Sequence, residues 1–324
     1  MGCGSSKNVQ RVDRIGEEET EQKSVQQAEV KPAVAALIDG KAVADGILEN
    51  LRTTVDTLGA EPLLAVVLVG SNPASMSYIK RKQAAAAGCG IRTKLLHLDD
   101  SVSQLELQRT IETLDADDDT DGIILQLPLP EHLDAKKASA LISLAKDVDG
   151  FSPANVGATA LHGHEPDCCP CTPKGCLQLI RSIGVPLRGK EACVIGASNI
   201  VGIPMGALLL KEGCTITTCH IDTVDCAAHS RRADVLVVAA GKAGLVTADM
   251  VKPGAIVIDV GINFVVDATK KSGQRMVGDV DFGGVSKVAG FLTPVPGGVG
   301  PMTVAMLMSN TVDACAARRG SLPV

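Results

Sequence analysis

The sequence predicts an α/β protein of two domains, each built on a largely parallel sheet covered by helices. Three observations carry this. The chain has 324 residues, about twice an ordinary domain of roughly 150. It is 45% hydrophobic yet has no Trp, one Tyr and four Phe, so its core must be aliphatic. Its apolar runs are short and alternate with helical patterns, as βα repeats do, and 33 glycines punctuate them.

The elements follow in order. Residues 1–33 are polar and charged, lack any period and read as a disordered tail. The tail opens Met1-Gly2-Cys3-Gly4-Ser5-Ser6, the N-myristoylation pattern of a eukaryotic protein, with Gly2 as acceptor. Cys3 is placed to take a palmitoyl chain; one acyl chain binds membranes marginally and two bind stably. The alternative is a chance match in a floppy tail. Lys41–Leu58 then reads as a helix and Leu63–Val69 as a buried strand. Pro73–Ala87 is a helix that Asn72 caps, Ile91–Leu98 a strand, Ser103–Leu114 a helix. Gly122–Leu127 is a strand stopped by Pro128, and Leu133–Leu144 a helix. A Gly/Pro/Cys-rich stretch from Gly150 to Thr172 marks the domain junction. Pro173–Ile183 is a helix with Pro in its first turn, Ala192–Ile195 a strand and Gly202–Leu210 a helix. Thr215–Cys219, Val235–Val238 and Ala255–Val260 are further buried strands, and Pro301–Ala317 is the last long helix.

Composition excludes several classes. With 31 basic and 37 acidic residues the net charge is −6, which argues against nucleic acid as a partner. No run of 18 apolar residues predicts a membrane span, and no apolar h-region follows Met1. The acidic run Glu17-Glu18-Glu19 speaks against a mitochondrial transit peptide. Eleven cysteines, several within apolar runs, read as free thiols of a reducing compartment. The expectation is a cytoplasmic protein, membrane-associated only through its acylated tail.

Two groups of residues carry chemistry. Gly196-Ala197-Ser198 joins a strand to a helix, where a Gly-rich turn lets a pyrophosphate approach the backbone. The spacing is not GxGxxG, so the signal alone is weak, and a tight turn remains the alternative. Asp222 ends the next strand, where an acid accepts hydrogen bonds from the adenosine ribose and repels a 2′-phosphate. Alternatively it caps a helix starting near Thr223. In the first half, Tyr78 and Lys82 share a helix face, Gln126 sits at the carboxyl end of a strand, and Asp147 and Asp149 occupy one loop. Thr293–Pro301 is too rich in Gly and Pro for filler; its glycines let backbone come close to a ligand.

Those runs, with Asp121–Pro130, Pro170–Gly175, Val257–Asn263 and Gly278–Phe282, resemble the methylenetetrahydrofolate dehydrogenase/cyclohydrolase family over about residues 34–318. The resemblance implies an N-terminal α/β folate-binding catalytic domain (34–157 with 298–324) and a Rossmann-like dinucleotide domain (158–297). The last helix should return to the first domain. The family oxidises methylenetetrahydrofolate with NAD(P) and hydrolyses the methenyl product to 10-formyltetrahydrofolate. It implies a homodimer, folate in a cleft between domains, and no metal. Tyr78 would stack on the folate ring, Lys82 would be the catalytic lysine held by Gln126, and Asp149 would bind the pterin edge. Leu125, Leu127, Pro296, Gly297, Gly298, Gly300 and Pro301 would complete the folate site. Gly196, Ala197, Ser198, Ile221, Asp222 and Ile262 would meet the cofactor.

The chain departs from the family at the cofactor. Ala197 stands where Arg is usual, Ile221 where Ser is usual, and Asp222 where a basic residue is common. Both donors to a 2′-phosphate are gone and a carboxylate is added, so NAD should be favoured over NADP. The cluster of His162, His164, Cys168, Cys169 and Cys171 lacks the CxxC spacing of a zinc site. Short-chain dehydrogenases also use YxxxK, but there the nucleotide turn precedes the pair. The remaining alternatives are a dehydrogenase without hydrolase activity and a membrane-tethered folate-binding protein that is not an enzyme. Intact Tyr78, Lys82, Gln126 and Asp149 disfavour both.

Overall fold

The computed structural model describes residues 34–270 and 272–319. The expected tail, with Gly2 and Cys3, lies outside them. The chain begins with a two-residue strand β1 (Ala36–Leu37) and helix α1 (Gly40–Leu58), capped by Asp39, whose carboxylate accepts from the Ala42 N–H. Gly59, in the left-handed region, ends α1. Strand β2 (Leu63–Val69), helix α2 (Pro73–Gly88), strand β3 (Arg92–Leu98), helix α3 (Gln104–Ala116) and strand β4 (Gly122–Leu125) follow. β2 is buried along its whole length, as its unbroken apolar run requires. The three strands form a parallel sheet in the order β3-β2-β4.

The expected helix over 133–144 is instead a short helix α4 (Ala135–Ser139) and a separate 3-10 turn at Leu144–Lys146. Tertiary bonds pull the chain out of helix there. The buried Lys146 amine donates to the carbonyls of Asp115 (2.6 Å) and Asp117 (2.8 Å), and the Ser143 N–H donates to Asp115. The stretch read as a junction contains a helix α5 (Pro153–Ala160), with Ser152 as its cap and Pro at its first position.

Helix α6 (Cys171–Ser182) leads to strand β5 (Glu191–Ile195), helix α7 (Gly202–Lys211), strand β6 (Thr215–Cys219), helix α8 (Cys226–Ser230) and strand β7 (Val235–Val238). After a 3-10 turn at Ala248–Met250 come strand β8 (Ile256–Asp259) and a hairpin of β9 (Asn263–Val266) and β10 (Gln274–Val277). A one-turn helix α9 (Phe282–Val285), strand β11 (Phe291–Leu292) and the long helix α10 (Val299–Arg319) complete the chain. The second sheet is all parallel, ordered β1-β11-β8-β7-β5-β6.

Two features were not expected. β1, from the N-terminal end, pairs with β11 and so belongs to the second sheet. The antiparallel β9–β10 hairpin stands apart from both sheets. The last helix does return: α10 packs on α1, α2 and α6 and touches β4. It is buried over most of its surface, from Val299 through Met302, Leu307 and Val312 to Ala316, with Asp313 and Ala317 exposed on one face. Every described cysteine is a free thiol, and no described helix is long and apolar enough to cross a membrane.

Candidate active site

Helix α2 presents the first two residues. Its start is fixed by Asn72, which accepts from the N–H groups of Ala74 and Ser75, with Pro73 at the first position. One turn apart on this helix, Tyr78 and Lys82 face the same way, and the Lys82 Nζ lies 4.9 Å from the centre of the Tyr78 ring. Lys82 is only 5% exposed. Its amine donates to Gln126 Oε1 at 3.2 Å. Gln126 follows β4, where its own N–H continues the sheet to Val67 and its Nε2 donates to the Leu127 carbonyl at 2.7 Å. That second bond turns the amide oxygen toward Lys82.

Asp149 completes the group. Burial raises its carboxyl above the ordinary range, the Lys82 charge works against this and Asp147 adds to it. Burial, then the Asp149 charge, also raises the Tyr78 hydroxyl. Asp147 has a different task. It accepts from the N–H groups of Gly150 (3.2 Å) and Ser152 (2.7 Å) and from Asn155 Nδ2 (3.0 Å), and so shapes the loop that carries Asp149.

Two residues that sequence reasoning missed hold this loop from behind. Asn310, buried in α10, donates to the carbonyls of Val148 and Cys169 at 2.9 Å each. Lys174 donates to Asn310 Oδ1 at 2.8 Å. A lone Asn inside an otherwise buried helix was the signal available.

A cleft of about 970 Å³ opens between the two sheets. Tyr78, Gln126 and Leu127 line one wall, Val260, Gly261 and Ile262 another, and the 294–301 segment a third. Pro296, Gly297, Gly298, Gly300 and Pro301 therefore share the cleft with Tyr78. Lys82 and Asp149 are not part of its lining. Leu125 is elsewhere: it is 7% exposed and packs in the core around β2 and β4. The Leu127–Pro128 and Val295–Pro296 peptide bonds are cis.

The remaining predicted residues lie along the carboxyl edge of the second sheet. Gly196 follows β5 with φ +122°, and a Cβ there would run into the Ala239 carbonyl oxygen. A Cβ at Gly202, the first residue of α7, would run into the Gly196 carbonyl. Ser198 Oγ accepts from the N–H groups of Val201 and Gly202 and closes the turn. This is a backbone cradle that side chains would fill, and it fits a pyrophosphate. Past β6, Ile221 is 97% exposed and the Asp222 side chain is also exposed, 3.6 Å from His220 Nδ1. Among the described residues Asp222 caps no helix; Asp225 is the N-cap of α8. From β6 through β5 and β7 to β8 there are three inter-strand steps, about 14 Å. An extended dinucleotide laid on that edge would run from Asp222 past Gly196 to Ile262 in the cleft.

Among the described residues no group of three or more His, Cys, Asp or Glu is placed to hold a metal ion. His162 and His164 are exposed, while Cys168 and Cys171 are buried.

The catalytic-domain model of tetrahydrofolate dehydrogenase/cyclohydrolase matches residues 38–149, and the NAD(P)-binding-domain model of that family matches 170–319. The chain is 50% identical to bifunctional protein FolD 2 of Arabidopsis thaliana over 86% of its own length and 95% of the relative's. It is similar to the crystal structure of the bifunctional FolD enzyme of Campylobacter jejuni, with 47% identity, TM-score 0.82, and 88% and 99% of the two chains covered. A Trypanosoma brucei FolD structure, complexed with NADP cofactor and inhibitor, is 40% identical at TM-score 0.83, covering 86% and 97%.

Proposed function

The chain belongs to the tetrahydrofolate dehydrogenase/cyclohydrolase family, and from that premise we infer the two reactions it runs. It oxidises 5,10-methylenetetrahydrofolate to the methenyl form with NAD(P), then hydrolyses that product to 10-formyltetrahydrofolate. The observation that carries this reading is the buried Lys82, hydrogen-bonded to Gln126 and set against Tyr78 beside the cleft.

The residues divide the work by chemistry. Tyr78 offers a flat face in a cleft of folate size. Asp149, whose carboxyl burial raises above the ordinary range, offers its oxygens as hydrogen-bond acceptors to the pterin edge. Bound NAD(P) supplies the hydride acceptor. Water attack on the cationic methenyl carbon needs proton transfer, and Lys82 is the group to move that proton, its amine aimed by Gln126. The Pro296–Pro301 backbone closes the folate side. The reading includes a folate-binding lobe over 34–157 with 298–324 and a dinucleotide lobe over 158–297.

The cofactor preference belongs to this proposal. Ala197 has no side-chain donor, Ile221 projects into solvent, and Asp222 adds negative charge at the adenosine end. A 2′-phosphate would meet no replacement for the lost donors, so NAD is favoured. Self-association is a further part. The β9–β10 hairpin exposes Phe264 (59%) and Val266 (88%), an apolar strip suited to a second copy of this chain. Acylation at Gly2 and Cys3 would divide the enzyme between cytoplasm and membrane surface.

The test offers methylenetetrahydrofolate to the purified protein with NAD and NADP separately and follows nicotinamide reduction and methenyl formation. Turnover with NAD, at higher kcat/KM than with NADP, is expected. A tenfold advantage for NADP would overturn the cofactor preference, and no reduction with either would overturn the dehydrogenase assignment.

A further inference from the structure

Beside the cofactor wall of the cleft lie two carboxylates that the roles above leave unused. Asp279 is fully buried and Asp259 nearly so. Asp279 accepts from the N–H groups of Ala240 (2.7 Å) and Gly241 (2.8 Å) and from Asn263 Nδ2 (2.8 Å). Asp259 accepts from the N–H groups of Gly261 (2.9 Å), Asp279 (2.9 Å) and Val280 (3.0 Å), while its own N–H donates to Thr293 Oγ1 (2.8 Å). Neither makes an ion pair among the described residues. A Cβ at Gly261 would run into Asp279, and one at Gly278 into Asp259, so both glycines exist to let the carboxylates in.

Two buried negative charges without a cation are a poor choice for stability alone, because apolar packing would do as well. What they supply is direction. Each carboxylate collects donors from segments far apart in sequence and fixes them to one another. The segments are those after β7, after β8, after β10 and at the end of β11. All lie at the carboxyl edge where the dinucleotide would run, and the segment after β8 lines the cleft.

We propose that Asp279 is a positioning residue for hydride transfer: through Ala240, Gly241 and Asn263 it holds the two loops that face the nicotinamide half of the cofactor. It is not part of the cleft lining, and its hydrogen-bond partners do not include Tyr78, Lys82 or Gln126. The role rests on the chain being a dehydrogenase. It predicts a division between the two activities, because methenyl hydrolysis requires no cofactor.

The experiment compares wild type, Asp279→Asn and the milder Asn263→Ala, each as the full chain. Three quantities are read: the dissociation constant of NAD by calorimetry, kcat and KM of the dehydrogenase, and methenyl hydrolysis without cofactor. Asp279→Asn should weaken NAD binding and lower dehydrogenase kcat/KM by about tenfold or more, with hydrolysis within about twofold of wild type. Asn263→Ala, which removes a single hydrogen bond, should move the same two quantities by about threefold. Equal losses in both activities, or unchanged NAD affinity, would overturn the proposal. If Asp279→Asn does not fold, Asn263→Ala decides by the same criteria. Should wild type bind NAD yet fail to reduce it, the dehydrogenase reading falls, and the calorimetry still reports on Asp279.

Discussion

At the scale of single residues, Lys82 is the position where loss should be most selective. Lys82→Met keeps the buried stem and removes the amine, leaving Gln126 Oε1 without its donor. Methenyl hydrolysis should fall by about 100-fold or more while the far-UV spectrum stays unchanged; retained hydrolysis would remove Lys82 from the proton path. Asp259 sets a pH dependence. Burial lifts its carboxyl from an ordinary 3.8 to about 6, with Asp279 adding to the rise and three N–H donors opposing it. A group whose pKa rises on folding stabilises fully below its unfolded value and loses that contribution as pH climbs through the folded one. Between pH 3.8 and 6, wild type should therefore lose stability relative to Asp259→Asn, by about 1–3 kcal/mol. Urea unfolding at several pH values reads this, and parallel curves for the two proteins would refute it. Tyr78, Lys82, Gln126 and Asp149 were legible because each stands in a short run of unusual composition. Lys174 and Asp279 stand in runs that carry the resemblance, but nothing local gave them a role, and Asn310 lies outside those runs; all three act on groups from distant parts of the chain.

Among the elements, α10 carries the most structure. Its end is pinned by Arg318 and Arg319, which reach the fully buried Asp121 at the start of β4 at 2.9 and 2.7 Å. Asp121 also accepts from the Leu63 N–H, so the same carboxylate ties α10 to β2. Replacing both arginines with Ala strands a buried charge and should cost about 3–5 kcal/mol, read as a lower urea midpoint; a change under about 1 kcal/mol would show that the helix is held by packing alone. Apolar runs and caps located the βα repeats to within a residue or two. Signals failed where local pattern and tertiary bonding disagree. The pattern over 133–144 reads as one helix, yet the Lys146 amine just beyond it is drawn into a nest of carbonyls. Strands of two residues, such as β1 and β11, are too short to leave any periodic trace.

For the whole molecule, the proposed self-association through the exposed apolar strip of the hairpin is open to a direct test. Val266→Asp, outside the cleft that Phe264 helps to line, should convert a dimer to monomer in sedimentation at micromolar concentration, and a monomeric wild type would end the proposal. The pairing of β1 with β11 has another consequence. The chain passes between the sheets three times, at residues 38–39, across 150–170 and at 293–298. The described residues are one compact unit, and a single buried core joins the sheets, with Val66 of β2 and Val194 of β5 in the same cluster. A chain stitched across three times over one shared core should lose both sheets together, so probes placed in either one should report the same urea midpoint.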